Sequence, residues 1–422
     1  MKLAFILKDI GLNEIDMSNP QSGNPGIGGS EFLFVLLMYY LLEQSEHRII
    51  CYHFEDNKLP KGIECRCVKN IGEVLFEAER EQVDFLVYQL NWGKPFYDML
   101  KKSKINAIAW AHCYISKDEL GMMSEIENVR RVVCVGREQY DTYIDHPAIE
   151  KMSYIYNMVP MTGEEKRIEK HGKNIVFIGS ITRGKGFDIF AKAWPKIKKK
   201  APDTHVYVIG SGKLYDRGAS LGKYGIADEA YEREFIPYLL DESGNLDGNF
   251  HFLGVLGEEK NEYIKKCAVG VTNPSVTRPE TFGLVAVEMG IYGVPVATSR
   301  MFGRLDTVIH KKTGLLHYTT GGLAKNIVKM LNNDDINLEY GQNAKQFVNN
   351  TFSSGVIMPK WLSFFADLEQ YVQKGTYTKA CYQKPKCNFL NDFKWLRIIN
   401  RFMRFNMRMK FLPPICNVKR TL

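Results

Sequence analysis

The chain reads as an α/β protein of two doubly wound, mostly parallel sheet domains, followed by a basic amphipathic helical tail. Three observations predict this. Strand-like apolar runs alternate with helix-spaced stretches from residue 3 to 135, and the alternation resumes at 174. A charged, unpatterned segment, MTGEEKRIEKHG, separates the two series as a linker would. Glycine-rich turns follow the first strand of each series, where doubly wound sheets bind ligands.

Length and composition agree with two domains. The 422 residues are 45% hydrophobic and 12% aromatic, enough for buried cores. The opening LAFIL run is interrupted by Lys8 and Asp9, too soon for a secretory segment, and reads as a first strand. The longest uncharged apolar run, Phe32 to Leu42, has 11 residues against the ~20 that a membrane span needs. Nine cysteines are scattered without C-x-x-C pairs or a zinc-like array, so reduced structural thiols in a cytoplasmic protein are expected, and no metal site. The net charge of +8 is uneven: residues 375–422 hold 11 Lys or Arg and one Asp, so the first 374 residues carry −2.

Taken in order, the first strand (3–7) leads through an Asn, Ser, Pro and Gly-rich loop to Gly28-Gly29-Ser30-Glu31 and the Phe32–Leu42 helix. Glycines there let backbone approach a ligand, and a helix N-terminus favours an anion. The same residues also serve as plain turn formers. Strands are expected at 48–53, 85–88, 107–111 and 132–135, with helices at 71–81 and 96–102 between them. His112 directly follows AIAWA at the carboxyl end of its strand, the edge where such sheets hold ligands. A lone histidine there is also compatible with a structural role.

The second series starts with NIVFIG (174–179) and the turn Gly179-Ser180-Ile181-Thr182-Arg183-Gly184-Lys185-Gly186. A lysine in a flexible glycine turn after a strand suits a phosphate, since the ammonium can neutralise a leaving diphosphate. A helix at 187–200 and a strand at 206–209 ending in Gly210-Ser211-Gly212 come next, then a long polar stretch from 213 to 249 and the strand 251–254. The most informative segment is 273–298, NPSVTRPETFGLVAVEMGIYGVPVAT. A polar loop there feeds a helix, with Glu280 at or just before its first turn and the Phe282, Gly283 and Leu284 amides available to an anion. Glu288 lies about six residues further in, roughly 9 Å along the axis. Two separated carboxylates with an anionic middle match a nucleoside diphosphate sugar, although glutamates near a helix start can merely favour the dipole.

At these residues the chain resembles the retaining, metal-independent glycosyltransferases of the GT-B fold, family 4 (glycosyl transferases group 1). The matching pattern is Glu280, Phe282-Gly283-Leu284, Glu288 and Gly293-Val294-Pro295-Val296, joined by Gly28-Gly29-Ser30-Glu31 and by Lys185-Gly186. The resemblance covers about residues 1–372 and is strongest from 174 to 316. It implies an N-terminal acceptor-side domain at 1–160, a linker at 161–173, a donor domain at 174–352 and a cross-over helix at 353–374, with the two domains facing across a cleft. It also implies roles. Glu280, His112 and Lys185 act on the transferred sugar and leaving group, and Glu288 holds the ribose. Phe282, Gly283, Leu284, Gly28, Gly29 and Gly210 line the donor site, and Val255 lies near the base. The family usually has an arginine where Ser180 stands, leaving Arg183 to compensate or the donor one cation short. Asp306 stands where a glutamate is common.

In the tail, Lys394, Arg397, Arg401, Arg404 and Arg408 fall on one helical stripe flanked by Trp395, Ile398, Ile399, Phe402, Met403 and Phe405. Residues 390–411 suit an anionic membrane surface, or else a helix packed on the domain with a solvated cationic face. No nucleic-acid module accompanies the charge. The resulting expectation is a cytoplasmic enzyme, peripheral at the membrane. It moves a sugar from a UDP- or GDP-linked donor to an acceptor hydroxyl, with a lipid-linked glycan of bacterial surface polysaccharide as one acceptor and without a cofactor. A glycan hydrolase or epimerase of the same fold and a non-catalytic nucleotide-sugar-binding protein are the alternatives.

Overall fold

The computed structural model describes residues 1–143, 146–160, 172–214, 218–374 and 403. They form two units: Met1–Glu14 with Phe34–Asn157 and the described residues from Ile357 on, and Ile15–Leu33 with Met158–Val356.

The first unit is built on strands β1 (Lys2–Ile6), β2 (Arg48–His53), β3 (Glu64–Cys67), β4 (Phe85–Tyr88), β5 (Ala107–Ala111), β6 (Val129–Cys134) and β7 (Met152–Tyr154), all parallel, in the order β3-β2-β1-β4-β5-β6-β7. The central strands are nearly continuous apolar runs, FLVY and AIAWA, because helices cover both faces of a parallel sheet. Strand β3, ECRC, alternates half-buried and exposed residues at the sheet edge, and so carries no apolar run to betray it. Strand β7 ends at Tyr154.

Helices α1 (Gly29–Gln44), α2 (Ile71–Arg80), α3 (Lys94–Lys102), α4 (Lys117–Glu125) and α5 (Arg137–Asp141) connect these strands. The Asn70 side chain accepts from the Glu73 amide to start α2, and Ser116 does the same for Glu119 in α4.

The second unit repeats the plan with β8 (Ile175–Ile178), β9 (Val206–Ile209), β10 (Phe250–Gly254), β11 (Val269–Val271), β12 (Val296–Ser299) and β13 (Gly314–His317), parallel in the order β10-β9-β8-β11-β12-β13. Its helices are α6 (Phe187–Lys198), α7 (Glu229–Phe235), α8 (Lys260–Lys265), α9 (Leu284–Ile291), α10 (Arg304–Thr307), α11 (Thr320–Leu331) and α12 (Asp334–Thr351). In both sheets the strand order reverses beside the first strand, between β1 and β4 and between β8 and β11. Chain leaving the carboxyl ends of those strand pairs opens a crevice for ligand.

Helix α13 (Ser354–Lys374) supplies the first unit with Trp361, edge-on to Trp110 at 5.0 Å, and with Tyr371 under Arg130 at 5.1 Å. Segment 15–33, placed by sequence in the first domain, packs instead with the second unit. A Cβ on Gly26 would sit 3.1 Å from Val255, and one on Gly29 3.4 Å from Leu284. Most of the linker (161–171) and the tail, apart from Met403, lie outside the described residues. No helix among the described residues is long and apolar enough to cross a membrane.

Candidate functional site

Strands β8 and β11 are neighbours, with Ile175 beside Val269 and Phe177 beside Val271. The lysine turn after β8 and the glutamate loop after β11 therefore leave the sheet side by side, although 95 residues separate Lys185 from Glu280. Their close fit depends on small residues. Gly186 has φ +75, and a Cβ there would lie 3.2 Å from the Ser275 side chain and 3.5 Å from the Arg278 guanidinium. A Cβ on Gly210 would overlap the Gly179 carbonyl, so Gly210 works by letting the ends of β8 and β9 close together.

Lys185 Nζ lies 2.8 Å from Glu280 Oε2, in a half-buried ion pair. The Asn273 amide donates to the same carboxylate oxygen. The Glu280 carbonyl accepts from Gly303 N–H at 2.8 Å, where Gly303 is packed so tightly on Thr281 that any side chain would clash. Helix α9 begins only at Leu284, capped by Gly283, so Glu280 stands in the preceding loop and the axial spacing drawn for the two glutamates does not apply. Phe282 is buried edge-on to Phe352 at 5.4 Å, anchoring the loop. The Leu284 amide is taken by the Phe282 carbonyl at 2.9 Å, which removes it from the expected anion donors.

Glu288, in the second turn of α9, accepts from Lys260 Nζ at 2.9 Å, with both side chains almost buried. Lys260 was illegible in sequence because it ends the charged run Gly257-Glu258-Glu259-Lys260, which resembles a solvated surface. Val255 is well exposed at the end of β10, and Gly26 abuts it. The Asn24 carboxamide oxygen accepts from the Gly26 and Ile27 amides, both at 2.9 Å, which shapes the loop that carries Gly28 and Gly29 toward Leu284.

Arg183, the candidate to compensate for the arginine absent at Ser180, is paired with α7. Its guanidinium is held by Glu234 at 2.7 Å and packs over Tyr231, both on α7 of the long polar stretch. Ser180 is buried, within 3.4 Å of the Ser211 carbonyl. Arg278 instead approaches the lysine turn, where it bonds Asp188 Oδ1 at 2.7 Å. Burial would raise the Asp188 carboxyl, but hydrogen bonds from Arg278 and from the Tyr231 hydroxyl (2.9 Å), with the Arg278 charge, outweigh it and hold it below the usual range. The stretch from 213 to 249, as far as it is described, thus buttresses the lysine turn through Tyr231. Asp306 lies in the short helix α10, where its amide donates to the Gly303 carbonyl at 3.1 Å.

In the first unit, His112 follows β5 as expected. Its ring lies 4.4 Å from Trp110 and 5.8 Å from Phe34, and burial pushes its imidazole down to about 3, so it is neutral at physiological pH.

Two doubly wound parallel α/β units, the second with a lysine–glutamate loop pair at its strand-order reversal, have the architecture of the GT-B fold. Residues 162–347 match the family described as glycosyl transferases group 1. An uncharacterized glycosyltransferase of Methanocaldococcus jannaschii is 27% identical over 336 residues, 74% of this chain and 84% of that protein. A 2-deoxystreptamine N-acetyl-D-glucosaminyltransferase of Niallia circulans is 21% identical over 67% of each chain. Among solved structures, Anabaena HepE in complex with UDP and glucose superposes with a TM-score of 0.64 at 16% identity, covering 87% of this chain and 99% of that one.

Proposed function

We propose that the protein transfers a sugar from a UDP- or GDP-linked donor to an acceptor hydroxyl with retention of anomeric configuration. The observation that carries this is the Lys185–Glu280 pair at the β8/β11 reversal, ahead of the α9 helix that carries Glu288. Lys185 and the positive end of the α9 dipole face the diphosphate and offset charge as it leaves. Glu280 accepts hydroxyls of the transferred sugar, and Glu288, steadied by Lys260, accepts from the ribose. Gly29 lets the 24–29 loop approach the same helix start, where an added Cβ would lie 3.4 Å from Leu284. Neutral His112 is suited to hydrogen-bond a sugar hydroxyl rather than to carry charge. The departing phosphate takes the acceptor proton on the same face, so no covalent nucleophile and no metal are required.

The crystal complex of HepE with UDP and glucose supports a nucleotide sugar as donor. The basic stripe at 394–408, read from sequence, supports a lipid-linked glycan acceptor at the cytoplasmic face of an anionic membrane.

A hydrolase is less well supported, because each glutamate already accepts from its own lysine. Incubation with a panel of UDP- and GDP-sugars, reading released nucleotide and the product anomer by NMR, tests the proposal. Turnover that is equal in wild type, Lys185→Ala and Glu280→Ala would overturn it.

A further inference from the structure

Asn273, two residues beyond β11, has features that a loop asparagine does not need. It sits at φ +40, in the left-handed region, and is only 6% exposed. Its Nδ2 donates to Glu280 Oε2. Because a carboxylate only accepts, the nitrogen must be the atom on Glu280, and Oδ1 must face elsewhere. That oxygen is buried without a hydrogen-bond partner. Glu280 Oε1 likewise carries no hydrogen bond among the described residues, since Lys185 and Asn273 both bind Oε2.

The side chain is not there by accident of a loose loop. The buried Thr298 hydroxyl donates to the Thr272 carbonyl at 2.6 Å and reaches the Asn273 carbonyl at 3.3 Å, fixing the backbone from β12. A buried acceptor left empty costs free energy, and it persists where a ligand is to fill it.

Two empty acceptors on bonded side chains call for a ligand with two hydroxyl donors. Phosphate oxygens are themselves acceptors and do not satisfy them. We propose that Asn273 is a sugar-binding residue: its Oδ1 accepts from one hydroxyl of the transferred sugar while Glu280 Oε1 accepts from the neighbouring one. The ligand is then a sugar presenting two adjacent free hydroxyls at this point. The inference rests on the proposed transferase function and adds a residue, and a requirement on the sugar, that the family pattern does not contain.

Asn273→Gly is the informative variant, because glycine takes positive φ without strain and the backbone stays held by Thr298. Affinities for UDP and GDP, and for UDP-glucose and GDP-mannose, are measured by calorimetry on wild type and variant, with Tm as a folding check. The expected result is nucleoside diphosphate affinity within about twofold of wild type. The extra affinity contributed by the sugar, and turnover, fall on the order of tenfold. Unchanged sugar affinity and turnover would overturn the proposal, as would an equal loss for nucleotide and nucleotide sugar, which would mark Asn273 as structural. Wild type that binds none of the four compounds would instead overturn the transferase reading, and this inference with it.

Discussion

The two strand-order reversals share one topology and carry different chemistry. Between β8 and β11 the emerging loops bring together charges: Lys185 with Glu280, and Arg278 with Asp188. After β1, by contrast, the acidic residue is saturated. Asp9 is fully buried and accepts from the Phe54 amide at 2.8 Å and from the Asn57 carboxamide at 2.9 Å. One strand beyond that reversal, after β5, stands a neutral histidine among aromatic rings. Fold alone therefore does not assign a ligand. The charged reversal suits an anionic donor, and the neutral one suits uncharged hydroxyls.

The comparison breaks most sharply at Lys185. Replacing it with methionine removes the cation proposed to face the diphosphate and is expected to lower turnover about 100- to 1,000-fold, the scale of losing one transition-state charge contact; steady-state nucleotide release checks this. His112→Ala is expected to lower turnover by about tenfold while leaving free nucleotide affinity unchanged, since it acts on neutral groups. Gly210→Ala tests the scaffold rather than the chemistry. The new methyl must displace the Gly179 carbonyl, and a loss of about 1–3 kcal/mol in denaturant unfolding is expected.

A smaller effect should follow acidification. Burial lowers His112 to about 3 and His317 to about 4, so the unfolded chain binds protons first as pH falls below about 6.5. Stability from these neutral rings is complete above that pH and is lost on the way down to about 4, by at most about 1.4 kcal/mol per pH unit for each ring. Thermal unfolding between pH 7 and 4 measures it, and replacing His317 with glutamine should flatten part of the slope. The smallest change is expected at Arg183→Ala. Its partners are Glu234 and Asp228 on an exposed flank, so turnover should stay within about threefold.

Much of the architecture was legible because parallel strands buried on both faces are unbroken apolar runs. The expected strands at 48–53, 85–88, 107–111 and 206–209 have those bounds in the structure. Strand β3 and the three-residue β11 escaped, one because an edge strand alternates with charges, the other because VGV is too short to show a period. At the site, residue types chosen for an anion were found next to each other at Lys185 and Glu280. Asn273, which bonds Glu280, and Lys260, which bonds Glu288, were missed. Asn273 looked like a turn residue ahead of Pro274, and Lys260 like surface charge; only tertiary contact distinguishes them. Arg183, a cation near glycines whose role the sequence leaves open, is engaged by Glu234 of the 213–249 stretch.

The central claim is that the charged reversal, and not the neutral one, holds the nucleotide. Calorimetric titration of UDP and GDP into wild type, Lys185→Met and His112→Ala tests it most directly. The account predicts at least a tenfold weaker affinity in Lys185→Met and wild-type affinity in His112→Ala. Equal affinity in wild type and Lys185→Met, or loss confined to His112→Ala, would contradict it.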